Sequence, residues 1–161
     1  MPYRRLALVD PVALAPWGSP FFRLVGENPE VFEQLPGNLH GALVREYVRS
    51  SSHRGLRPET VEDLVGPWSD QEGQSAFYRQ IAQADQRYTD EIQPLYPKIG
   101  IPVTVCWGEE DTWIPVDKAH ELVSLTPDSR LRLIPGAGHL VALDASALLL
   151  AELLAFLTDS D

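Results

Sequence analysis

The sequence predicts an α/β protein: about three parallel strands with flanking helices, interrupted by an all-helical segment. Three observations carry this expectation. Leu6–Val9 is a short apolar run with no polar alternation, the pattern of a strand covered on both faces of a parallel sheet. From Lys98 onward, strand, helix, strand and helix alternate, which specifies a βαβα unit with a right-handed parallel crossover. Between Pro11 and Pro97 no strand pattern occurs, only short helical periodicities punctuated by Pro, Gly, Asn and Ser. The organisation that follows is 1–15 for the first strand and a hinge, 16–97 for the helical segment, and 98–161 for the βαβα core.

In chain order, Arg5–Asp10 is the first strand, ending at Asp-Pro. A run that expects cover on both faces implies further chain before it. Phe21, Leu24 and Val25 mark one short helix, and Leu39, Leu43, Val44, Tyr47 and Val48 recur at helical steps in a second. Pro58 opens a third in its first turn, with Val61, Leu64 and Val65 on the inner face. Ser69 and Glu72 form a capping-box pattern for a fourth, lined by Phe77, Ile81 and Ala84. Thr89–Tyr96 adds a last turn or two before Pro97. Val103–Trp107 is then a strand, Pro115 the N1 residue of a helix through Leu125, and Leu131–Ile134 another strand. Gly136 and Gly138 allow tight turns before His139. Ala145–Leu157 closes the chain as a helix that is apolar around most of its circumference.

Composition narrows the function classes. The 161 residues carry a net charge of −10, which repels phosphate backbones and anionic lipid, so neither nucleic acid nor a membrane is an expected partner. A single cysteine, Cys106, excludes an intrachain disulfide and a CxxC site. It sits mid-strand, which disfavours it as a nucleophile. His40 and His53 lack nearby carboxylates for a zinc site, and with His120 they read as surface residues on helical patterns. The start of the chain lacks the long apolar stretch of a leader, and the composition suits a cytoplasmic protein.

Chemistry concentrates in Ile101–His139. Asp111 follows one strand of the βαβα unit and His139 follows the next, so both loops emerge at the edge where open α/β sheets place active sites. An acid that accepts from one imidazole nitrogen fixes the tautomer and leaves the other nitrogen free to take a proton. Alone, Asp111 would read as a helix cap and His139 as a surface residue in a Gly-rich turn; together, in this order, they read as two members of a catalytic triad. Glu109 and Glu110 flank Asp111 and are either solvated loop charges or substitutes for it. Asp10 is either the holder of the Asp-Pro turn or an alternative acid. Trp113 and Trp17 are candidates to line a substrate pocket, or else ordinary packing.

The stretches PVTVCWGEEDTWIP and PGAGHLVALDASALLLAELLAFL resemble the acid loop and the histidine loop with C-terminal helix of capped α/β-hydrolases, the group that includes esterases, C–C bond hydrolases, epoxide hydrolases and haloalkane dehalogenases. RLALVDP resembles the strand that leads into the family's helical cap, and 16–97 resembles that cap. The resemblance implies a partial α/β-hydrolase core in which His139 is the general base and Asp111 its orienting acid, acting without metal or cofactor on a small ester, amide or related apolar substrate. It also implies a nucleophile on a G-x-S-x-G-like elbow before the cap. No such motif occurs: Ser19 is followed by Pro20, and Ser50, Ser51 and Ser52 fall at a helix end. The chain thus resembles the C-terminal portion of such an enzyme, its nucleophile, Ser or Asp, lying in sequence not included here. The other reading is an inactive binding or assembly piece that pairs with a separate N-terminal polypeptide. In either case Leu6–Val9 would be an open sheet edge capable of self-association.

Overall fold

A computed structural model describes residues 3–158. By internal contacts the chain forms two compact units: Met1–Ala15, Ser51–Arg54 and Arg87–Asp161 make a sheet unit, and Pro16–Ser50 with Gly55–Gln86 make a helical unit. Helical patterning in the sequence groups 51–54 and 87–97 with the helices; the contacts group them with the sheet.

The sheet unit holds three strands, β1 (Leu6–Val9), β2 (Val103–Gly108) and β3 (Ser129–Ile134), in the order β1-β2-β3. Both pairings are parallel, with Leu6 opposite Val103 and Val103 opposite Ser129. β2 is covered on both faces because its alternate side chains enter two cores. Val103, Val105 and Trp107 pack with Ala119 and Leu122 of α7 (Asp117–Leu125) and with Leu14 and Tyr96. Cys106 packs the opposite way, with Ile134, Ala137, Val141, Ala145 and Leu149. Those last three residues belong to α8 (Val141–Asp144), the following turn and α9 (Ser146–Thr158). Tyr96, in a 3-10 segment Gln93–Lys98, donates its hydroxyl to Ala13 O at 2.5 Å, tying the chain after β1 to this core.

β1 departs from expectation. Among the described residues it pairs on one side only, and Leu6 and Val9 are 36% and 38% exposed. An edge strand cannot have both flanks covered by its own sheet, so the apolar run is half-buried instead of fully buried. Pro115 lies two residues before the first residue of α7, although its carbonyl accepts from Lys118 N. In α9 the apolar circumference is real, and it leaves Leu148, Leu150, Leu154 and Leu157 exposed while Leu149 is buried. Among the described residues no helix is long and apolar enough to cross a membrane.

The helical unit contains α1 (Pro20–Glu27), α2 (Pro29–Glu33), α3 (Gly37–Ser50), α4 (Pro58–Val65) and α5 (Gln71–Ala82); α6 (Arg87–Ile92) already belongs to the sheet unit. Its core is Val25, Val44, Val61, Val65, Phe77, Tyr78 and Ile81. Leu24, Leu39 and Leu64 match the helical period yet are exposed, because short helices present only a narrow inner stripe. The cap of α5 is Asp70, which accepts from Gly73 N at 2.7 Å; Ser69 instead donates to Val65 O, and Ala84 falls beyond the helix. His40 corrects a surface assignment. It is 1% exposed, with Nε2 donating to Trp68 O at 2.7 Å and Nδ1 2.9 Å from the Tyr78 hydroxyl. A helical histidine with polar sequence neighbours can be buried when both ring nitrogens find partners. His53 and His120 are exposed, as expected.

Candidate active site

The end of β2 and the end of β3 deliver Asp111 and His139 to one place. After Gly108 the chain turns, with Asp111 N donating to Gly108 O, and Glu109 N donating to Ile134 O across the sheet end. The Asp111 side chain has no exposure, and its two oxygens divide the work. Oδ1 accepts from Trp113 N at 2.7 Å and Ile114 N at 3.0 Å, which fixes the carboxylate on its own loop. Oδ2 lies 2.9 Å from His139 Nδ1. Burial disfavours the imidazolium, but the Asp111 hydrogen bond and charge, with the charge of Asp10, override it and raise the His139 pKa above its ordinary value. The Trp113 indole stacks on the imidazole, centroids 5.2 Å apart at 29°.

Asp10 also stands here, at the end of β1. It bonds the backbone, not the imidazole: Oδ1 accepts from Gly108 N at 2.9 Å, and Oδ2 is buried without a partner. Burial is the main cause that raises its pKa to about 7; the Gly108 bond opposes this, Asp111 adds to it, and His139 opposes it. Its φ of 38° is left-handed, a region in which Asp and Asn are the most tolerated side chains. The hydrogen bond that Asp10 was a candidate to make to the histidine is made by Asp111.

Glu110 is neither a solvated charge nor a substitute acid. Its carboxylate accepts from Ala137 N at 3.0 Å while its own N–H donates to Ala137 O at 3.0 Å, a reciprocal clasp between the acid and histidine loops. Glu109 is exposed. Cys106 is fully buried, and burial, with Glu152 and Asp10 adding, pushes its thiol up to about 11, beyond use as a nucleophile at neutral pH. Trp113 joins the cluster; Trp17 is half-buried at the start of the helical unit. Ser52, marked in the sequence only by its place near a helix end, donates to Asp144 at 2.5 Å. Asp144 carries no sequence signal at all, since its importance depends on contacts with residues about ninety positions away. Among the described residues no group of three or more His, Cys, Asp or Glu could hold a metal.

Known proteins share this architecture. The structure of an α/β-hydrolase-fold protein from Burkholderia ambifaria is 39% identical, superposes with a TM-score of 0.89, and matches 98% of this chain and 57% of its own. The fold is that of the α/β-hydrolases. This hydrolase-fold chain also matches two curated proteins. One is a dihydrolipoyllysine-residue acetyltransferase component of an acetoin cleaving system from Pseudomonas putida, at 25% identity over 74% of this chain and 35% of that protein. The other is a 2-hydroxy-6-oxo-6-phenylhexa-2,4-dienoate hydrolase from Burkholderia cepacia, at 26% over 50% of this chain and 29% of that protein. The matched region thus spans about a third of these curated relatives and just over half of the solved one. No family model matches the sequence.

Proposed function

We propose that this chain carries the base and acid of a hydrolase, with His139 as general base and Asp111 as its orienting acid. The observation that carries the reading is the 2.9 Å contact from His139 Nδ1 to Asp111 Oδ2. With Nδ1 engaged, Nε2 is the nitrogen left to take a proton from a serine nucleophile and return it to the leaving group, or to take one from the water that hydrolyses an ester formed on an aspartate. The imidazolium formed in that step is stabilised by the buried Asp111 carboxylate. Trp113 offers an apolar wall beside the base, which suits a small ester, amide or related apolar substrate. The nucleophile, Ser or Asp, comes from a strand–turn–helix segment outside these 161 residues, and the helical unit acts as a cap. The reading needs no cofactor.

A longer form that includes such a segment is expected to hydrolyse short p-nitrophenyl esters, and His139→Ala to lower its kcat by 10²-fold or more, the range ascribed to general-base catalysis. Unchanged kcat in His139→Ala would overturn the assignment. The 161-residue chain alone is expected to show no turnover; activity that depends on His139 would mean a nucleophile within it.

The open side of β1 favours a second reading, a binding or assembly piece that self-associates through that edge, where Leu6 and Val9 are part-exposed. A concentration-independent monomer mass by light scattering would remove that reading.

A further inference from the structure

The loop that presents His139 is held from two sides, and only one of them is the acid loop. On the second side stands Asp144, in α8, 8% exposed. Its Oδ1 accepts from the Ser52 hydroxyl at 2.5 Å, and its Oδ2 accepts from His53 N at 2.8 Å and from Gly138 N at 2.8 Å. One carboxylate therefore joins the residue preceding His139 to the segment Ser51–Arg54. That segment makes two further bonds to the same loop: Leu140 N donates to Ser51 O at 3.2 Å, and Arg54 Nε donates to Gly136 O at 2.8 Å. The backbones run so close that a Cβ on Gly138 would lie 2.8 Å from both Ser51 O and His53 N.

We infer that Asp144 is a positioning residue for His139, working through a strap formed by Ser51–Arg54. The strap and Glu110 both bond the backbone of residues 136–140, so the segment that carries the imidazole cannot shift from Asp111 without breaking several hydrogen bonds. A catalytic hydrogen bond keeps its strength only while its partners are held within a few tenths of an ångström, and loops need such outside support. The strap is bracketed in sequence by Ser50 and Gly55, where the chain leaves and re-enters the helical unit. Burial alone would raise the Asp144 pKa; the Ser52 hydroxyl and the Gly138, His53 and Arg54 backbone amides outweigh it and hold it below the ordinary range, so the carboxylate is charged across neutral pH. The inference rests on the reading of His139 as the base only for its functional meaning; the positioning itself is a property of the folded chain.

The test is the titration of His139 by NMR in the full 161-residue chain, its signal assigned by loss in His139→Gln. Asp111 and Asp10 act on its charge directly; Glu110 on the acid loop, Asp144 on α8 and Arg54 on the strap are the other charged groups bonded to its loop. In Asp144→Asn, which keeps the size but offers the two backbone amides a neutral oxygen and turns an amide nitrogen toward Ser52, the midpoint is expected to fall by about half a unit or more. The exchange-protected Nδ1 proton should broaden or vanish. Ser52→Ala keeps the carboxylate, removes one strap bond and is expected to move both signals the same way by less; it decides the matter should Asp144→Asn not fold. An unchanged midpoint and Nδ1 proton in the folded variant, with only a lower melting temperature, would overturn the proposal and leave Asp144 as structural glue. Neither readout needs turnover, so a failed activity assay of the longer form would sink the hydrolase reading without touching this one.

Discussion

Asp10 offers a clean separation of charge from shape. Its carboxyl is buried, its Oδ2 has no partner, and its pKa rises from 3.8 to about 7. Because the folded pKa lies above the unfolded one, the folded state binds more protons between those values, and stability falls as pH rises through that window. A shift of roughly three units corresponds to about 4 kcal/mol at 1.36 kcal/mol per unit. Solvent near the partly exposed His139 screens the charge, so about 2 kcal/mol is the working figure. Asp10→Asn keeps the acceptor for Gly108 N and suits the left-handed φ, so it removes little besides the charge. In urea titrations the variant should match the parent near pH 3.5 and exceed it by about 2 kcal/mol near pH 8, the gap opening between about pH 4 and pH 7. Taking the difference cancels groups that titrate alike in both proteins. A gap of constant size across pH, or a variant less stable at pH 8, would refute the argument that an uncompensated buried charge sits at this strand end.

Other consequences can be measured on the same protein. The His139 pKa is raised, so the contribution of its pair with Asp111 is complete below about pH 6.5 and fades as pH climbs through the folded value. Asp111→Asn should therefore cost about 1 kcal/mol more at pH 6 than at pH 9 in urea melts, and an equal cost at both would count against a charged pair. Cys106, buried with its thiol pushed up to about 11, should not react with Ellman's reagent until the protein unfolds; rapid labelling of the native chain would contradict its placement. Gly108→Ala places a Cβ 2.3 Å from Gly138 O and 2.6 Å from Ala137 O. It should destabilise by about 3 kcal/mol in thermal melts, with a wild-type melting temperature ruling out the close approach of the two loops.

Much of the site is legible in the amino-acid sequence. Two strand–loop units in succession force Asp111 and His139 to the same sheet edge, since parallel strands joined by a right-handed crossover end side by side. The helices are legible as elements where Pro, Gly and apolar spacing mark them. Their inner faces are not: Leu39 and Leu64 keep the period and still face solvent, while His40, polar but four residues before Val44 on the same stripe, is buried. The cap of α5 moves from Ser69 to Asp70 because two adjacent residues could both accept, and only backbone geometry chooses between them.

Local sequence thus determined the strands, their parallel pairing and the meeting of Asp111 with His139, because each depends on neighbours a few positions away or on one crossover. Tertiary structure alone decided what surrounds that pair. Glu110 as a clasp on Ala137, Asp10 as a buried carboxylate at Gly108, and Asp144 as the anchor of Ser51–Arg54 arise from contacts between residues 27, 98 and 91 or 92 positions apart. A carboxylate looks the same in a string of letters whether water or a backbone amide satisfies it. Which of the two it meets is settled only when distant segments close around it.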